Sequence, residues 1–453
     1  MENYFLFNKN ITAKTDVALN NQTAKNLFNS FCFGCAEIDF TKGEKNTFVV
    51  GNPKIPELPS CKEFIISVEK DGIAVVGENY GGLMRGFISL LMRIEYISLA
   101  EGRESFKIPY ILEESGYKVK RRMIHICVFP ENDFYFTKKL IRLAGVCQYT
   151  HIVIEFWGTL EYDCLKELAW PNAFTKSQAK QLIKEARELG IEPIPMFNQL
   201  GHATASRICY GKHVVLDQNP KLQDLFTSDG WAFNIYSKKV DTLLKQVRQE
   251  LYEVFGDGEY MHIGCDEAYY YTRSETDRRN LPYYLKKLTN QVVLEGRKPM
   301  IWMDMLLEEN KFPNCYCTCK KGESRELIDA LPKETVLVDW QYNVFKSPVS
   351  SLESLKDSGH NVIGAPWLKK ENYFAHIDTI IKYNLFGVML TTWHTLKDQM
   401  GGILSCAKAC GAGTFPWTYK SGELEETATL LRRVSFEGNS YPDSGWAKEQ
   451  IDI

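Results

Sequence analysis

The sequence predicts an α/β protein in which a (β/α)8 TIM barrel follows a small α+β domain. From about residue 119 onward, short apolar runs rich in β-branched residues alternate with longer amphipathic runs, the pattern of parallel βα units. There are eight such apolar runs, and this number favours a closed barrel. An open doubly wound sheet is the alternative, but no Gly-rich phosphate loop follows the first run.

The small domain is expected to span residues 1–115. Residues 64–76 contain two strand-like runs on either side of an Asp-Gly pair, which predicts a β-hairpin. Residues 81–97 carry apolar side chains at helical spacing and predict a helix. Residues 98–118, with their polar AEGRES and EESG segments, are interpreted as the link to the barrel.

The catalytic barrel is expected to span residues 116–453 and to include a helical C-terminal end. Its strands are predicted at Met123–Val128, Ile152–Phe156, Glu192–Phe197, Tyr260–Gly264, Met300–Met303, Val336–Trp340, Asn361–Ala365 and Gly387–Thr392. Helices are predicted at Ser177–Leu189, Lys239–Phe255 and Tyr373–Tyr383, with polar or Gly residues near the ends of the last two.

Polar and aromatic residues that end the predicted strands are the candidate site, because barrel enzymes place their active sites at the C-terminal ends of the strands. These residues are Glu155, Trp157, Asn198, His202, Asp266, Glu267, Trp302, Asp304, Trp340, Tyr342, Trp367, Trp393 and His394. Tryptophan faces suit sugar rings, although packing inside the barrel is the alternative for each tryptophan.

The composition excludes several classes of function. A net charge of −3 lacks the basic footprint of a nucleic-acid binder. No uncharged run is long enough to span a membrane, and the N-terminus does not resemble a signal peptide. The 13 cysteines are scattered, and the Cys32–Cys35 pair has no second pair at zinc-site spacing, so free thiols in a cytoplasmic protein are expected. Oligomeric state is not indicated.

The strongest local signal is HIGCDEA at residues 262–268, where an apolar strand runs into Asp266 and Glu267. Neighbouring residues of an extended chain point in different directions, so one acid can face a leaving group while the other addresses another part of the substrate. Like charges this close favour a retained proton, which a general acid needs. A solvated acidic pair at a helix start is the alternative, and the strand-end position favours catalysis.

The stretch HIGCDEAYY resembles the catalytic motif of the family 20 β-N-acetylhexosaminidases, and the chain is similar to their intracellular hexosaminidase D type. Other segments that resemble this family are Tyr80–Ile94, Phe174–His202, Ile301–Leu306, Val338–Tyr342 and Gly387–His394. The resemblance implies a retaining exo-hydrolase that removes terminal β-linked GlcNAc or GalNAc from a glycan. It also implies that no metal or organic cofactor takes part.

The resemblance further implies substrate-assisted catalysis, in which the 2-acetamido oxygen attacks the anomeric carbon and gives an oxazolinium ion. Glu267 would be the acid that protonates the leaving oxygen and later activates water. Asp266 would orient the acetamido group and stabilise charge on its nitrogen, and Tyr342 would donate to its carbonyl oxygen. Trp302, Trp340 and Trp393 would enclose the acetamido methyl and the apolar sugar face.

Five further residues have a structural interpretation beside the functional one. Arg122 resembles the family's arginine for sugar hydroxyls, but a surface charge in a basic run is the other interpretation. His202 and His262 could orient the carboxylates or be structural. Glu155 and Asp304 could join the same network or form structural ion pairs.

Two positions depart from the family pattern, and they bear on hydroxyl recognition more than on bond cleavage. Cys127 stands where an acid is common late in strand one, and His394 follows the last-strand tryptophan where Glu or Gln is common.

Two other functions are alternatives to a hexosaminidase. One is a catalytically silent glycan-binding protein, against which the retained Asp266, Glu267 and Tyr342 argue. The other is a metal-dependent barrel hydrolase that uses His202 and His262 with the two acids, and no HxH motif at the first strand supports it.

Overall fold

The computed structural model describes residues 3–99, 103–203, 215–393, 396–411 and 422–436. Its strands are β1 Tyr4–Phe7, β2 Asn10–Thr15, β3 Glu37–Lys42, β4 Thr47–Gly51, β5 Phe64–Glu69, β6 Gly72–Gly77, β7 Glu95–Leu99, β8 Arg103–Pro109, β9 Ile111–Glu114, β10 Arg122–Cys127, β11 His151–Glu155, β12 Glu192–Met196, β13 Tyr260–His262, β14 Lys298–Trp302, β15 Val336–Trp340, β16 Asn361–Ala365 and β17 Gly387–Leu390. Its α-helices are α1 Gln22–Phe31, α2 Tyr80–Leu91, α3 Phe134–Val146, α4 Lys176–Glu188, α5 Val215–Gln218, α6 Lys238–Phe255, α7 Glu275–Leu294, α8 Ser324–Asp329, α9 Ser350–Leu355, α10 Lys370–Tyr383, α11 Met400–Ala409 and α12 Glu423–Arg433. No helix in these ranges is long and apolar enough to cross a bilayer.

The chain divides into two compact units. Over the described residues, the first comprises 3–99, 103–114, 135–143 and 422–436. The second comprises the described residues within 115–134 and 144–411. Residues 135–143 and 422–436 are predicted to belong to the barrel domain, whereas in the structure they group with the first unit.

The first unit is an α+β domain. Over its described residues it holds a sheet in the order β3-β2-β4-β6-β5-β9 and a smaller sheet in the order β1-β8-β7. The predicted hairpin is present, because β5 and β6 pair antiparallel with Val68 opposite Ile73. Helix α2 lies close to this hairpin, since a Cβ on Gly86 would come within 2.6 Å of the Val75 side chain.

Two predictions for this region are wrong. The predicted helix 81–97 ends at Leu91, and Glu95–Leu99 forms strand β7 paired with β8. The predicted link 98–118 contains β8 and β9, each of which pairs with another strand. Polar residues led to the prediction of a link because β9 exposes one face. Its residues alternate between half-buried and exposed positions.

The second unit is the barrel. Strands β10 to β17 are parallel and follow each other in sequence order, and β10 pairs with β17 to close the barrel within the described residues. Buried apolar side chains such as Met123, Val153 and Val338 fill its interior. The predicted fold class is confirmed, and the predicted strand positions agree with the observed ones to within two residues at each end. The C-terminal strand ends therefore form one rim, where the candidate site is expected.

Candidate active site

Strand β13 stops at His262, and the six residues after it form an irregular segment that carries both acids of the motif. Gly264, Cys265 and Glu267 all have positive φ, at 66°, 76° and 48°. Glycine adopts this conformation readily, whereas Cys and Glu adopt it at a cost. Such strain collects at functional sites, where the surroundings must hold it in place.

The surroundings that hold this segment come from the loop after β12. The Asn198 side-chain oxygen accepts the Cys265 N–H at 2.8 Å. A Cβ on Gly264 would lie 1.7 Å from that oxygen, so only glycine permits the bond. Gly201 makes a second close approach, because a Cβ there would lie 1.9 Å from the Asp266 carbonyl oxygen. Both glycines therefore serve to bring two loops together.

His202 brings the two acids together. Its Nε2 lies 3.0 Å from a Glu267 carboxylate oxygen and 3.3 Å from an Asp266 carboxylate oxygen. The ring packs against Trp231 with centroids 4.6 Å apart. The Trp231 indole N–H in turn donates to the Glu267 carbonyl at 2.7 Å. His202 and Trp231 thus hold both the side chain and the backbone of the acid motif.

Asp304 is a third acid beneath the motif and is fully buried. Its carboxylate accepts the Glu267 backbone N–H at 2.8 Å and the Trp340 indole N–H at 3.2 Å. Burial is the main cause that raises the pKa of Asp304 well above its usual value, and the nearby Asp266 charge adds to the rise. Asp304 therefore holds the backbone of the segment and the Trp340 indole in place.

Tyr342 lies near the acids, at the end of β15. Its hydroxyl accepts the Trp393 indole N–H at 2.8 Å and also interacts with the Thr391 side chain. Burial raises the pKa of Tyr342, and the charges on Asp266 and Glu267 add to the rise. The phenol therefore stays protonated and can donate.

Aromatic rings line the rim on both sides of Tyr342. Its ring centroid is 5.1 Å from Trp340 and 5.2 Å from Trp367. Trp393 lies 6.2 Å from Trp302, which is fully buried. The Trp302 indole nitrogen is a buried polar atom with no hydrogen-bond partner in the described structure, so its N–H can donate to a polar ligand or to water.

Comparison with known proteins decides the family. The model for the glycosyl hydrolase family 20 catalytic domain matches residues 155–381, half of the chain. The chain belongs to glycosyl hydrolase family 20. It is therefore a glycoside hydrolase, and the predicted family is confirmed.

Solved structures agree with this family 20 fold. An exo-β-N-acetylglucosaminidase from Vibrio harveyi is similar at a TM-score of 0.67 and 14% identity, over 98% of this chain and 76% of that chain. A β-N-acetylhexosaminidase from Bacteroides fragilis is similar at 0.64 and 14%, over 98% of this chain and 94% of that chain. A β-N-acetylhexosaminidase from Streptomyces coelicolor is similar at 0.63 and 13%, over 96% of this chain and 93% of that chain. At these identities the likeness establishes the fold.

One predicted substrate contact of the family 20 hydrolase is wrong. Arg122 begins β10, at the opposite end of the strand from the site. Its buried guanidinium donates to the Val119, Lys120 and Gln148 carbonyls and lies 3.5 Å from the Tyr117 ring centroid. The prediction failed because Arg122 stands at the amino end of its strand, whereas the site lies at the carboxyl ends.

Glu155 and Trp367 have partners of their own at the strand ends. Glu155 is fully buried, with a carboxylate oxygen 3.3 Å from His125 Nε2. The Trp367 indole N–H donates to the Gln399 side chain at 2.8 Å. Cys127 is buried at the end of β10. His394 lies outside the described residues.

His262 takes the structural role. It is fully buried, its Nδ1 accepts the Gly264 N–H at 3.1 Å, and its ring lies 4.4 Å from the Trp302 ring. Burial lowers the pKa of His262 to about 3, so the ring is neutral. It supports the turn that begins the acid motif.

Three residues near the two acids are missing from the predicted site. Trp231 contacts His202 and Glu267 from a loop. The Tyr269 phenol lies close to the Glu267 carboxylate, which adds to the rise in the pKa of Tyr269, and the Tyr316 hydroxyl donates to the Tyr269 hydroxyl at 2.6 Å. Tyr269 lies in the HIGCDEAYY motif and could have been considered, but Trp231 and Tyr316 lie in loops that give no strand-end signal.

The described residues do not gather a metal-binding set. In the ranges that the structure covers, no three His, Cys, Asp or Glu side chains are grouped so that they could hold a metal ion. His202 Nε2 lies within 3.0 and 3.3 Å of the two carboxylates.

Proposed function

We propose that this family 20 hydrolase is a retaining exo-β-N-acetylhexosaminidase that removes terminal β-linked GlcNAc or GalNAc from glycans, with the acetamido group of the substrate as nucleophile. The supporting observation is that Asp266 and Glu267 both reach the same nitrogen of His202. Two carboxylates that share one nitrogen stand side by side. Their facing oxygens are therefore too close together to enclose a water in the inverting arrangement.

This arrangement disfavours an inverting mechanism, which needs a water between carboxyls that are roughly 6.5–9.5 Å apart. A spacing of roughly 5–5.5 Å is typical of retaining enzymes, so the two neighbouring acids are compatible with retention. The protonated Tyr342 phenol beside the two acids favours the substrate-assisted form of retention, because it can donate to an acetamido oxygen. That oxygen then serves as the nucleophile without a further protein group.

Each of the three groups then has a step. The amide oxygen forms a bond to the anomeric carbon while the glycosidic C–O bond breaks, and Glu267 gives its proton to the leaving oxygen. Asp266 accepts the acetamido N–H and offsets the positive charge of the oxazolinium ion. Tyr342 donates its proton in a hydrogen bond to the amide oxygen and so directs the attack. Water then adds to the anomeric carbon, and Glu267 takes up a proton as the ring reopens.

The division of labour agrees with the exposure of the acids. The Glu267 side chain is 26% exposed, so an aglycone can reach it, whereas the Asp266 side chain is 8% exposed and suits a group buried under the sugar. Holding the amide ready for intramolecular attack can lower the barrier by roughly 7–11 kcal/mol. The expected cytoplasmic location stays a prediction.

The proposal is tested by release of an aryl aglycone from paired β-GlcNAc and β-GalNAc substrates, with and without EDTA. At least one substrate should be turned over at a rate that EDTA does not change. The matching β-glucoside, which lacks the acetamido group, should not be cleaved. Rapid cleavage of the β-glucoside would contradict the assisted mechanism, and EDTA inhibition would favour the metal-dependent alternative.

Glu267→Gln tests the assignment of the acid. The variant should lose nearly all activity on substrates with poor leaving groups, by about 100-fold or more, and less on activated aryl substrates that leave without a proton. Steady-state kcat/KM on both kinds of substrate measures the difference. Glu259→Gln, at the amino end of β13 where the acid pairs with Lys298, is the matched control and should behave as wild type. Wild-type rates in Glu267→Gln would mean that the acid is misassigned.

A further inference from the structure

We propose that Tyr269, itself held by Tyr316, is a positioning residue that aims the Glu267 carboxyl at the leaving-group oxygen. The inference rests on the proposed role of Glu267 as the acid. It concerns two tyrosines that carry no role in the mechanism above.

Tyr269 touches Glu267 at two points. Its backbone N–H donates to the Glu267 carbonyl at 2.9 Å. Its phenol lies close enough to the Glu267 carboxylate for that group to add to the rise in the pKa of Tyr269. The same phenol oxygen accepts the Tyr316 hydroxyl proton at 2.6 Å. A phenol has a single proton, so a tyrosine that accepts from Tyr316 directs its own proton toward Glu267.

Tyr316 is held in place although it lies in a loop. Its backbone N–H donates to the Gln341 side-chain oxygen at 2.6 Å, and its carbonyl accepts from the Gln341 amide nitrogen at 3.3 Å. Gln341 is 1% exposed, and that nitrogen also donates to Asp339 at 2.8 Å. The Tyr316 ring stacks on Trp340, with centroids 5.3 Å apart and planes 28° from parallel.

The result is a directed chain from Tyr316 through Tyr269 to Glu267. The Glu267 side chain is partly exposed and, without these contacts, would sample several rotamers. A general acid that is correctly oriented only part of the time reacts more slowly. His202 restrains one carboxylate oxygen at 3.0 Å, and Tyr269 adds a second restraint to the same side chain. Burial raises the pKa of Tyr269, so the phenol keeps its proton.

The test compares Tyr269→Phe, Tyr316→Phe and the double variant on two β-GlcNAc substrates, with Tyr270→Phe as the matched control. One substrate is a dinitrophenyl glycoside, which leaves without acid help, and the other is chitobiose, which needs it. Tyr269→Phe should lower kcat/KM on chitobiose about 10- to 100-fold and change that on the dinitrophenyl glycoside by less than about threefold. Tyr316→Phe should show the same pattern with a smaller loss.

The double variant separates a chain from two independent contacts. If Tyr316 acts through Tyr269, the double variant should match Tyr269→Phe on chitobiose. Equal losses on both substrates, additive losses in the double variant, or wild-type rates in Tyr269→Phe would overturn the inference. If wild type cleaves neither substrate, the proposed function fails instead, so the two failures are distinguishable.

Discussion

Asp266 and Glu267 are neighbours in the chain, yet their side chains meet different surroundings. The Asp266 carboxylate is nearly enclosed, and the Glu267 carboxylate is open on one side. The difference arises because Glu267 has a positive φ of 48°, which turns its side chain away from the direction that an extended residue would take. Two identical functional groups can therefore carry different chemistry.

Asp266→Asn should reduce activity on every N-acetylated substrate, whatever its leaving group. An amide cannot offset the charge on the acetamido nitrogen, and loss of such electrostatic stabilisation costs about 100- to 1,000-fold in kcat. Rates on a chitobiose and a dinitrophenyl substrate provide the measurement. Asp224→Asn, an exposed acid paired with Lys239, is the control. A loss confined to chitobiose would identify Asp266 as the proton donor and contradict the assignment.

Most of the site could be predicted from residues that follow the barrel strands, because a closed barrel brings the carboxyl ends of all its strands to one rim. Asp304, Tyr342 and Trp393 could thus be predicted without knowing any contact. Trp231 and Tyr316 could not, because they reach the motif from loops across 36 and 47 residues of sequence. Loop geometry depends on long-range hydrogen bonds that leave no periodic trace in the sequence.

The segment after β13 depends on two loops that approach closely. Gly264→Ala places a methyl group 1.7 Å from the Asn198 oxygen, so the bond from Cys265 to Asn198 must break and both acids must move. Misplacement of this kind should lower kcat about 100-fold or more. Activity and thermal unfolding together measure the effect.

Gly296→Ala is the matched control for that variant. Gly296 has a positive φ of 83°, but nothing lies within 4 Å of a Cβ built there. The control therefore carries the backbone cost of a left-handed alanine, about 1 kcal/mol, without the collision. It should lose some stability and keep wild-type kcat. Equal activity in both variants would mean that the Asn198 contact does not position the acids.

Helices and strands of the barrel were predictable because each strand is buried on both faces and each helix on one, which gives different apolar periods. The failure at residues 92–99 has the same cause. Ile94 and Ile97 continue the apolar spacing of α2, but the chain pairs with β8 as strand β7 instead. Pairing with a strand that begins eight residues downstream can override helical periodicity. The local apolar spacing carries no information about such a partner.

Buried histidines make the folded molecule sensitive to acid as a whole. Burial lowers the pKa of His262 to about 3 and that of His376 to about 4. A histidine of lowered pKa takes up a proton on unfolding at any pH below its ordinary value of about 6.5, so its stabilisation is present above that pH and is lost as the pH falls. Buried Asp339 opposes this trend, since its raised pKa of about 6 favours the folded state as pH falls through that value.

The two histidines should lower the free energy of unfolding between pH 6.5 and pH 5, by about 1–2 kcal/mol each. Asp339 returns about 1 kcal/mol over this range, and the raised pKa of buried Asp304 acts in the same direction as that of Asp339. Urea unfolding of the wild type at the two pH values gives the sum of these contributions, and variants separate them.

Two variants assign that pH dependence to named groups. His376→Gln can still donate to the Gln341 carbonyl, the bond that His376 Nε2 makes at 3.1 Å, but it has no proton to gain. Between pH 6.5 and pH 5 its free energy of unfolding should fall less, or rise more, than that of wild type, by about 1–2 kcal/mol. Asp339→Asn should do the opposite, with a larger fall or a smaller rise by about 1 kcal/mol, because the opposing carboxylate is gone. Each variant is compared with itself at the two pH values, so a loss of stability that does not depend on pH cancels. If both variants show the wild-type pH dependence, the groups that titrate lie elsewhere in the chain.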